Sequence, residues 1–284
     1  MKCRLVDVFA RQTFQGNGLT IFYDFESLSE QEMLLFTQEM RQFESVFLSG
    51  RPGNWSARIF TMEEELEFAG HPLLGLAYHL HQLYGSNEEQ GVWQVALKGR
   101  TVTLTSHREE GGGFKASMSQ GEPEHLKTLS FKEASIFYQA LNLPSDSCFS
   151  HPAEVITTGL PYLILPVDGN LEAIEFMVQD LSSLLSKHGA KFIYVLDTGT
   201  FEGRTWDNAG KVEDIATGSA AGPAAVYLFR QGLIRKNPVT IHQGRFSERP
   251  SEIEVALEFE GHDITNVQVS GHVVDVAEIR FAKR

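Results

Sequence analysis

The chain has 284 residues, 42% of them hydrophobic and 21% charged, which is enough apolar material for one large core or two smaller ones and argues against intrinsic disorder. Twenty-four Lys and Arg stand against 37 Asp and Glu, a formal charge of -13, and no segment gathers the basic stripe a phosphate backbone requires, so nucleic acid is excluded as a partner. The longest apolar runs, such as Tyr162 to Val167, fall far short of the roughly 20 residues that span a bilayer, so no membrane helix is expected.

Period-two alternation opens the chain: Cys3 to Phe9 reads as a strand, without the apolar segment of a signal peptide, so a cytoplasmic protein is expected. Cys3 and Cys148 are too few for a disulfide scaffold or a thiolate metal site and read as small packing residues. Further strands are predicted at Leu19 to Tyr23, Ala57 to Thr61, Val92 to Leu97 and Thr101 to Thr105. Ser29 followed by Glu32 is a capping box that opens a helix running to about Met40. A second helix starts at His71-Pro72, where proline's fixed φ suits a first turn. From His107 a Gly-rich stretch leads to Pro123 and reads as a crossover, giving domains 1–112 and 113–284, with the last strand packing back on the first domain. Beyond it, strands are predicted near Val155, at Tyr162 to Val167, Phe192 to Asp197 and Val239 to His242. Helices are predicted at Phe131 to Leu141, Leu171 to Lys187 and Ser219 to Arg230.

Two of these helices are apolar around nearly their whole circumference. Leu73, Leu74, Leu76, Ala77, Tyr78 and Leu80 fill one; Ala220, Ala221, Ala224, Ala225, Val226, Leu228 and Phe229 fill the other. A helix without a polar face is buried, here inside a curled sheet, once in each half. Their openings are similar, Phe68-Ala-Gly-His71 and Ile215-Ala-Thr-Gly-Ser219. If the two halves face each other, two helix N-termini with free amides point into one cleft, which suits a carboxylate.

The segments Phe14-Gln-Gly-Asn17, Arg58-Ile-Phe-Thr61, Glu65-Leu-Glu-Phe-Ala-Gly-His-Pro72, Thr158-Gly-Leu-Pro-Tyr162 and Glu213-Asp-Ile-Ala-Thr-Gly-Ser-Ala220 occur in the order of one family. Together they resemble the PhzF-like phenazine-biosynthesis proteins. The resemblance implies an α+β, diaminopimelate-epimerase-like fold: two pseudo-symmetric domains, each a β-barrel around a central helix, with the active site between them. It also implies a homodimeric isomerase without a cofactor or metal, in which one Glu moves a proton between carbons of a small carboxylated ring. Carried over by position, the resemblance puts the catalytic residues at Glu44, His71 and Asp214. Substrate contacts fall on Gly70, Thr217, Gly218 and Ser219.

Each residue also has a plainer reading. Glu44 fits a solvent-facing strand carboxylate, His71 and Ser219 fit helix caps, Asp214 fits a helix-start acid, and Thr217 fits an N-cap. The catalytic reading requires Glu44 to be sheltered from water, so that a captured proton is not exchanged. Residues departing from the family pattern bear on the substrate: Phe43 stands where Ser is usual, and facing the cleft it would turn a donor into an apolar wall. The two thiols of racemases with this fold are replaced by Ala69 and Thr217, which excludes their chemistry. His79 and His81, two apart on a helix, diverge and form no metal pair, and Gly16 and Gly18 lack the rest of a dinucleotide fingerprint. The competing function is a binding or interaction module that kept the fold without its catalysis.

Overall fold

In the computed structural model, which describes residues 1–85, 88–144 and 151–282, the chain forms two compact units. One comprises Met1–Ser119 and Ser270–Arg284, the other Gln120–Val269. Cys148, expected to be a packing residue, lies outside the described residues.

In the first unit β1 (Lys2–Val8) pairs antiparallel with β2 (Asn17–Tyr23), and β2 lies parallel to β3 (Glu44–Arg51). Parallel neighbours need a long crossover, which α1 (Glu30–Met40) supplies. β4 (Asn54–Thr61) follows β3 antiparallel and carries the short β5 (Glu65–Leu66) on one side. It is parallel to β6 (Gln90–Leu97), with α2 (Gly70–Tyr84) in the connection. β7 (Arg100–Arg108) and β8 (Phe114–Ser119) complete the run, and the later part of β16 (Asp263–Arg280) lies beside β8 and pairs back with β1 from Val8↔Val273 to Lys2↔Arg280. The ring is therefore closed and leaves no free edge.

α2 runs through this ring, and Leu73, Leu74, Leu76, Ala77 and Leu80 are wholly buried. Gly75 permits the fit, because a Cβ there would meet Leu19 Cδ2 at 2.3 Å and both Val6 and Val8 at 3.3 Å. α1 covers the outside of the ring over Cys3, Phe22, Phe47 and Phe60, with Phe22 and Phe47 stacked at 4.5 Å. Its capping box forms as expected: Ser29 Oγ accepts from Glu32 N, while Ser29 N donates to Glu32 Oε2.

In the second unit the strand order is β9 (Glu124–Thr128), β10 (Glu154–Thr157), β11 (Pro161–Val167), β12 (Phe192–Asp197), β13 (Glu202–Arg204), β14 (Val239–Gln243), β15 (Ser251–Glu260) and the first part of β16. Just before β9 the chain meets β16: Gln120 N donates to Val267 O at 2.8 Å and Val267 N to Gly121 O at 2.9 Å. α3 (Phe131–Ala140) and α4 (Ser182–Ser186) belong to this unit, whose strands surround α5 (Gly218–Arg230), on which Ala220, Ala221, Ala224, Ala225 and Leu228 are wholly buried. The connection order repeats that of the first unit. β11 and β12 are parallel neighbours, as are β13 and β14, with α5 in the second crossover.

Two expectations are corrected. The Gly-rich stretch after His107 is not the crossover: Gly111 and Gly112, at φ 100° and 92°, turn the β7–β8 hairpin, and Glu109 N donates to Gly113 O. The change of unit follows Ser119 instead of residue 112. The predicted helix Leu171 to Lys187 is also absent as one element. Only a single 3-10 turn at Leu171–Ala173 and α4 form. Between them the amides of Glu175, Met177 and Leu181 donate to Leu141, Ala140 and Asn208, while Asp180 Oδ1 takes the Ser182 amide. Those partners replace the i−4 carbonyls a helix would have used.

Candidate active site

Glu44 is the first residue of β3, opposite Thr61 of β4 and beside Leu19 of β2. Thus Glu44 shares the inner face of the ring with Leu19, Val6 and Val8, the residues that touch Gly75 of α2. At that level α2 begins, and its first turn presents His71. Glu44 Oε2 lies 3.0 Å from His71 Nδ1, with Glu44 only 6% and His71 only 4% exposed. Glu44 is therefore sheltered, as the catalytic reading requires.

A nitrogen and a carboxylate oxygen at that distance hold a proton between them. With the carboxylate ionised and the ring neutral, Nδ1 carries the hydrogen and donates to Glu44. Nε2 is then a lone-pair acceptor, and it is buried without a hydrogen-bond partner. Asn17, the first residue of β2 and 1% exposed, brings Nδ2 to 3.5 Å from the same Nδ1. The plain reading of His71 as a cap fails, since α2 has Ala69 as N-cap and no side-chain capping bond. The dipole end at Gly70 is left to backbone amides.

The remaining candidates sit at the start of α5. Thr217 is its N-cap by backbone position, but its hydroxyl does not cap the helix: Oγ1 donates to Asp214 Oδ2 at 2.6 Å. Gly218 is the first helical residue, and its carbonyl accepts from Gln120 Nε2 at 2.8 Å. Ser219 Oγ and Tyr162 OH are 2.9 Å apart. Beneath the turn Gln243 at the end of β14 binds both Asp214 and Thr217, and Tyr194 OH donates to it at 3.2 Å. Burial pushes the Tyr194 phenol well above its ordinary range, and the Asp214 charge adds to the shift, so Tyr194 remains a donor.

Within the first unit the structure thus brings Glu44, His71 and Gly70 together, and within the second Asp214, Thr217, Gly218 and Ser219. Sequence reasoning assigned no role to Asn17 or Tyr162, although both end motifs quoted above. It missed Gln120 and Gln243 altogether, because nothing local in the chain marks a glutamine whose partners lie 29 or 98 residues away. Among the described residues no group of three or more His, Cys, Asp or Glu is arranged to hold a metal ion. No helix among them is long and apolar enough to cross a membrane.

A family model described as phenazine biosynthesis-like protein matches residues 6–279. The chain belongs to the phenazine biosynthesis-like family. Like it in sequence is the trans-2,3-dihydro-3-hydroxyanthranilate isomerase of Pseudomonas fluorescens, 32% identical over 279 residues, with 95% of each chain covered. A solved structure from Pseudomonas aeruginosa, described as a predicted epimerase, is 44% identical and superposes with a TM-score of 0.90 over 100% of this chain and 99% of the other. A hydroxyproline epimerase from Agrobacterium vitis, 10% identical, superposes with a TM-score of 0.58 over 98% and 90% of the two chains. That likeness places the protein in the diaminopimelate-epimerase-like fold. The phenazine biosynthesis-like protein described here is an isomerase of small molecules.

Proposed function

We propose that the protein moves a proton between two carbons of a small carboxylated cyclic compound, without a cofactor, using Glu44 as both base and acid. The observation that carries this reading is the buried Glu44–His71 pair, with Oε2 3.0 Å from Nδ1. A C–H proton in an activated ring is removed by the Glu44 carboxylate, and the electron pair left behind spreads into the conjugated system. Oε2 keeps the hydrogen bond from His71, which holds the carboxyl in one orientation through both transfers. The same carboxylic acid then returns the proton at a second carbon. Low exposure slows exchange with bulk water in the interval.

Each unit presents groups suited to such a compound. In the first, the amides at the Gly70 helix start suit a carboxylate and His71 Nε2, as an acceptor, a hydroxyl or amine hydrogen; in the second, the amides at Gly218 suit a carboxylate, and Asp214, Thr217 and Ser219 suit amino or hydroxyl groups. Phe43, directly before Glu44 and 38% exposed, favours a less polar ring than a residue with a hydroxyl would.

The test is incubation with trans-2,3-dihydro-3-hydroxyanthranilate and a panel of cyclohexadiene carboxylates in D2O, followed by NMR. The expected result is an isomer with hydrogen moved between ring carbons, and turnover by Glu44→Gln lower by roughly 10²-fold or more. Normal turnover by Glu44→Gln overturns the mechanism.

A further inference from the structure

Gln243 is 1% exposed, and its side-chain amide touches four groups. Oε1 accepts from the Thr217 amide at 3.2 Å and from Tyr194 OH at 3.2 Å. Nε2 donates to the Asp214 carbonyl at 2.7 Å and to Thr217 Oγ1 at 2.9 Å. The orientation of this amide is not a matter of choice. A backbone N–H can only donate and a backbone carbonyl can only accept, so Thr217 N fixes which end is oxygen and Asp214 O fixes which end is nitrogen.

That orientation decides what Thr217 does. Its hydroxyl has one proton. Because Nε2 donates to Oγ1, the proton cannot be spent on Gln243 and is directed at Asp214 Oδ2, 2.6 Å away. From Tyr194 through Gln243 and Thr217 to Asp214, every donor and acceptor is therefore determined.

We infer that Gln243 is a positioning residue for Asp214: it sets the direction of the Thr217 hydroxyl, so that this hydroxyl donates to the Asp214 carboxylate and holds it ionised and oriented at the start of α5. The inference rests on the reading above for its effect on turnover, but its structural content stands on the amide alone. Tyr194 on β12, whose phenol burial and the Asp214 charge push up, stays a neutral donor to Gln243; Glu202 on β13, which also acts on Tyr194, is paired with Arg245 at 2.9 Å, and Glu213, next to Asp214 in the chain, is paired with Arg204 at 2.6 Å.

Gln243→Glu keeps the side chain's shape and replaces the Nε2 donor with an acceptor. Thr217 can then turn its proton toward position 243 and abandon Asp214. A hydrogen bond to a charged group is strong enough for its loss to move a titration by about one pH unit or more. The experiment follows the Asp214 carboxyl by 13C NMR as pH is lowered, and kcat/KM against pH in parallel. The carboxyl is assigned by its absence in Asp214→Asn.

The expected result is an upward displacement of the Asp214 midpoint by about one unit in Gln243→Glu. Thr217→Val displaces the midpoint as well, and Gln243→Glu displaces it less in the Thr217→Val background than in the parent, because the hydroxyl part is shared and only the repulsion of the new carboxylate remains. Thr217→Val also provides the reading if Gln243→Glu does not fold. The acidic limb of kcat/KM moves with the midpoint, while Thr217→Ser, which retains the hydroxyl, returns both toward the parent values. An unmoved Asp214 midpoint in either single variant, or displacements that add in the double variant, overturns the inference. An Asp214 midpoint that moves while Asp214→Asn keeps full activity instead overturns the assignment of Asp214 to the reaction and leaves the role of Gln243 intact.

Discussion

Glu44 Oε2 and His71 Nδ1 lie 3.0 Å apart, one at the start of β3 and the other in the first turn of α2, and neither side chain is more than 8% exposed. The pair joins the wall of the ring to the helix inside it. Removing one member leaves the other buried without its partner, so the two substitutions are not equivalent. Glu44→Gln keeps an oxygen that can accept from Nδ1, and its stability should stay within about 1 kcal/mol of the parent. His71→Leu strands the carboxyl and should cost about 1–3 kcal/mol. Both lower kcat, Glu44→Gln by roughly 10²–10⁴-fold, the range for a lost general acid–base group. Urea unfolding and initial rates on the same preparations check both halves. Equal losses of stability would contradict the pairing.

Two glycines report on how closely each buried element is approached. A Cβ at Gly75 would sit 2.3 Å from Leu19 Cδ2, and Leu19 is wholly buried with no room to swing aside. Gly75→Ala should therefore destabilise by about 1–3 kcal/mol. At Gly203 the collision is with the rigid ring and hydroxyl of Tyr194, each at 2.2 Å. Gly203→Ala must shift that ring, and with it the hydrogen bond from Tyr194 to Gln243. It should cost at least as much as Gly75→Ala. Chemical denaturation of the two variants gives the comparison, and parent-like stability in either would show that the packing is looser than these distances indicate.

The caps make a smaller, local prediction. Ser29 opens α1 and Ser130 opens α3, each with a reciprocal bond to a glutamate three residues on. Ser29→Ala and Ser130→Ala should each cost about 1 kcal/mol, as an N-cap loss does. Thermal melting of the two variants provides the measurement, and an unchanged midpoint would show that the helix start is held by tertiary packing alone.

What the sequence made legible was whatever is decided locally. Ser29 and Glu32 are three residues apart, so their capping box could be read directly. The all-round apolar surfaces of α2 and α5 imply enclosure without any knowledge of the partner strands. Glu44 was located only through the resemblance, since the Gln42-Phe-Glu-Ser-Val-Phe47 segment reads equally well as a half-exposed strand. A last strand packing back on the first domain is expected from the sequence, but the 18-residue extent of β16 is not, because it belongs to both units and its alternation breaks where Gly271 packs against Phe9. The helix expected over Leu171 to Lys187 failed because the carbonyls of Leu141, Ala140 and Asn208 take the amides of Glu175, Met177 and Leu181, a contest between distant segments.

His79 provides the pH prediction. It lies in α2, wholly buried, with both ring nitrogens lacking hydrogen-bond partners and its ring 4.5 Å from that of Tyr23. Burial, with a smaller contribution from the Arg4 charge, pushes it down from 6.5 to about 3. Between those values the unfolded chain binds a proton at this residue and the folded chain does not, so stability rises with pH across that window. His79 therefore costs nothing above about pH 6.5. Below it, stability falls by about 1.4 kcal/mol per pH unit on account of this residue alone, and the loss is complete near pH 3. His79→Leu removes the titrating ring and the two unpartnered nitrogens while keeping an apolar side chain in the ring interior. Urea midpoints measured at pH 4, 5, 6 and 7 should show the variant losing less stability on acidification than the parent, by one proton's worth of slope. Identical slopes would mean that His79 reaches solvent or a partner when it is protonated.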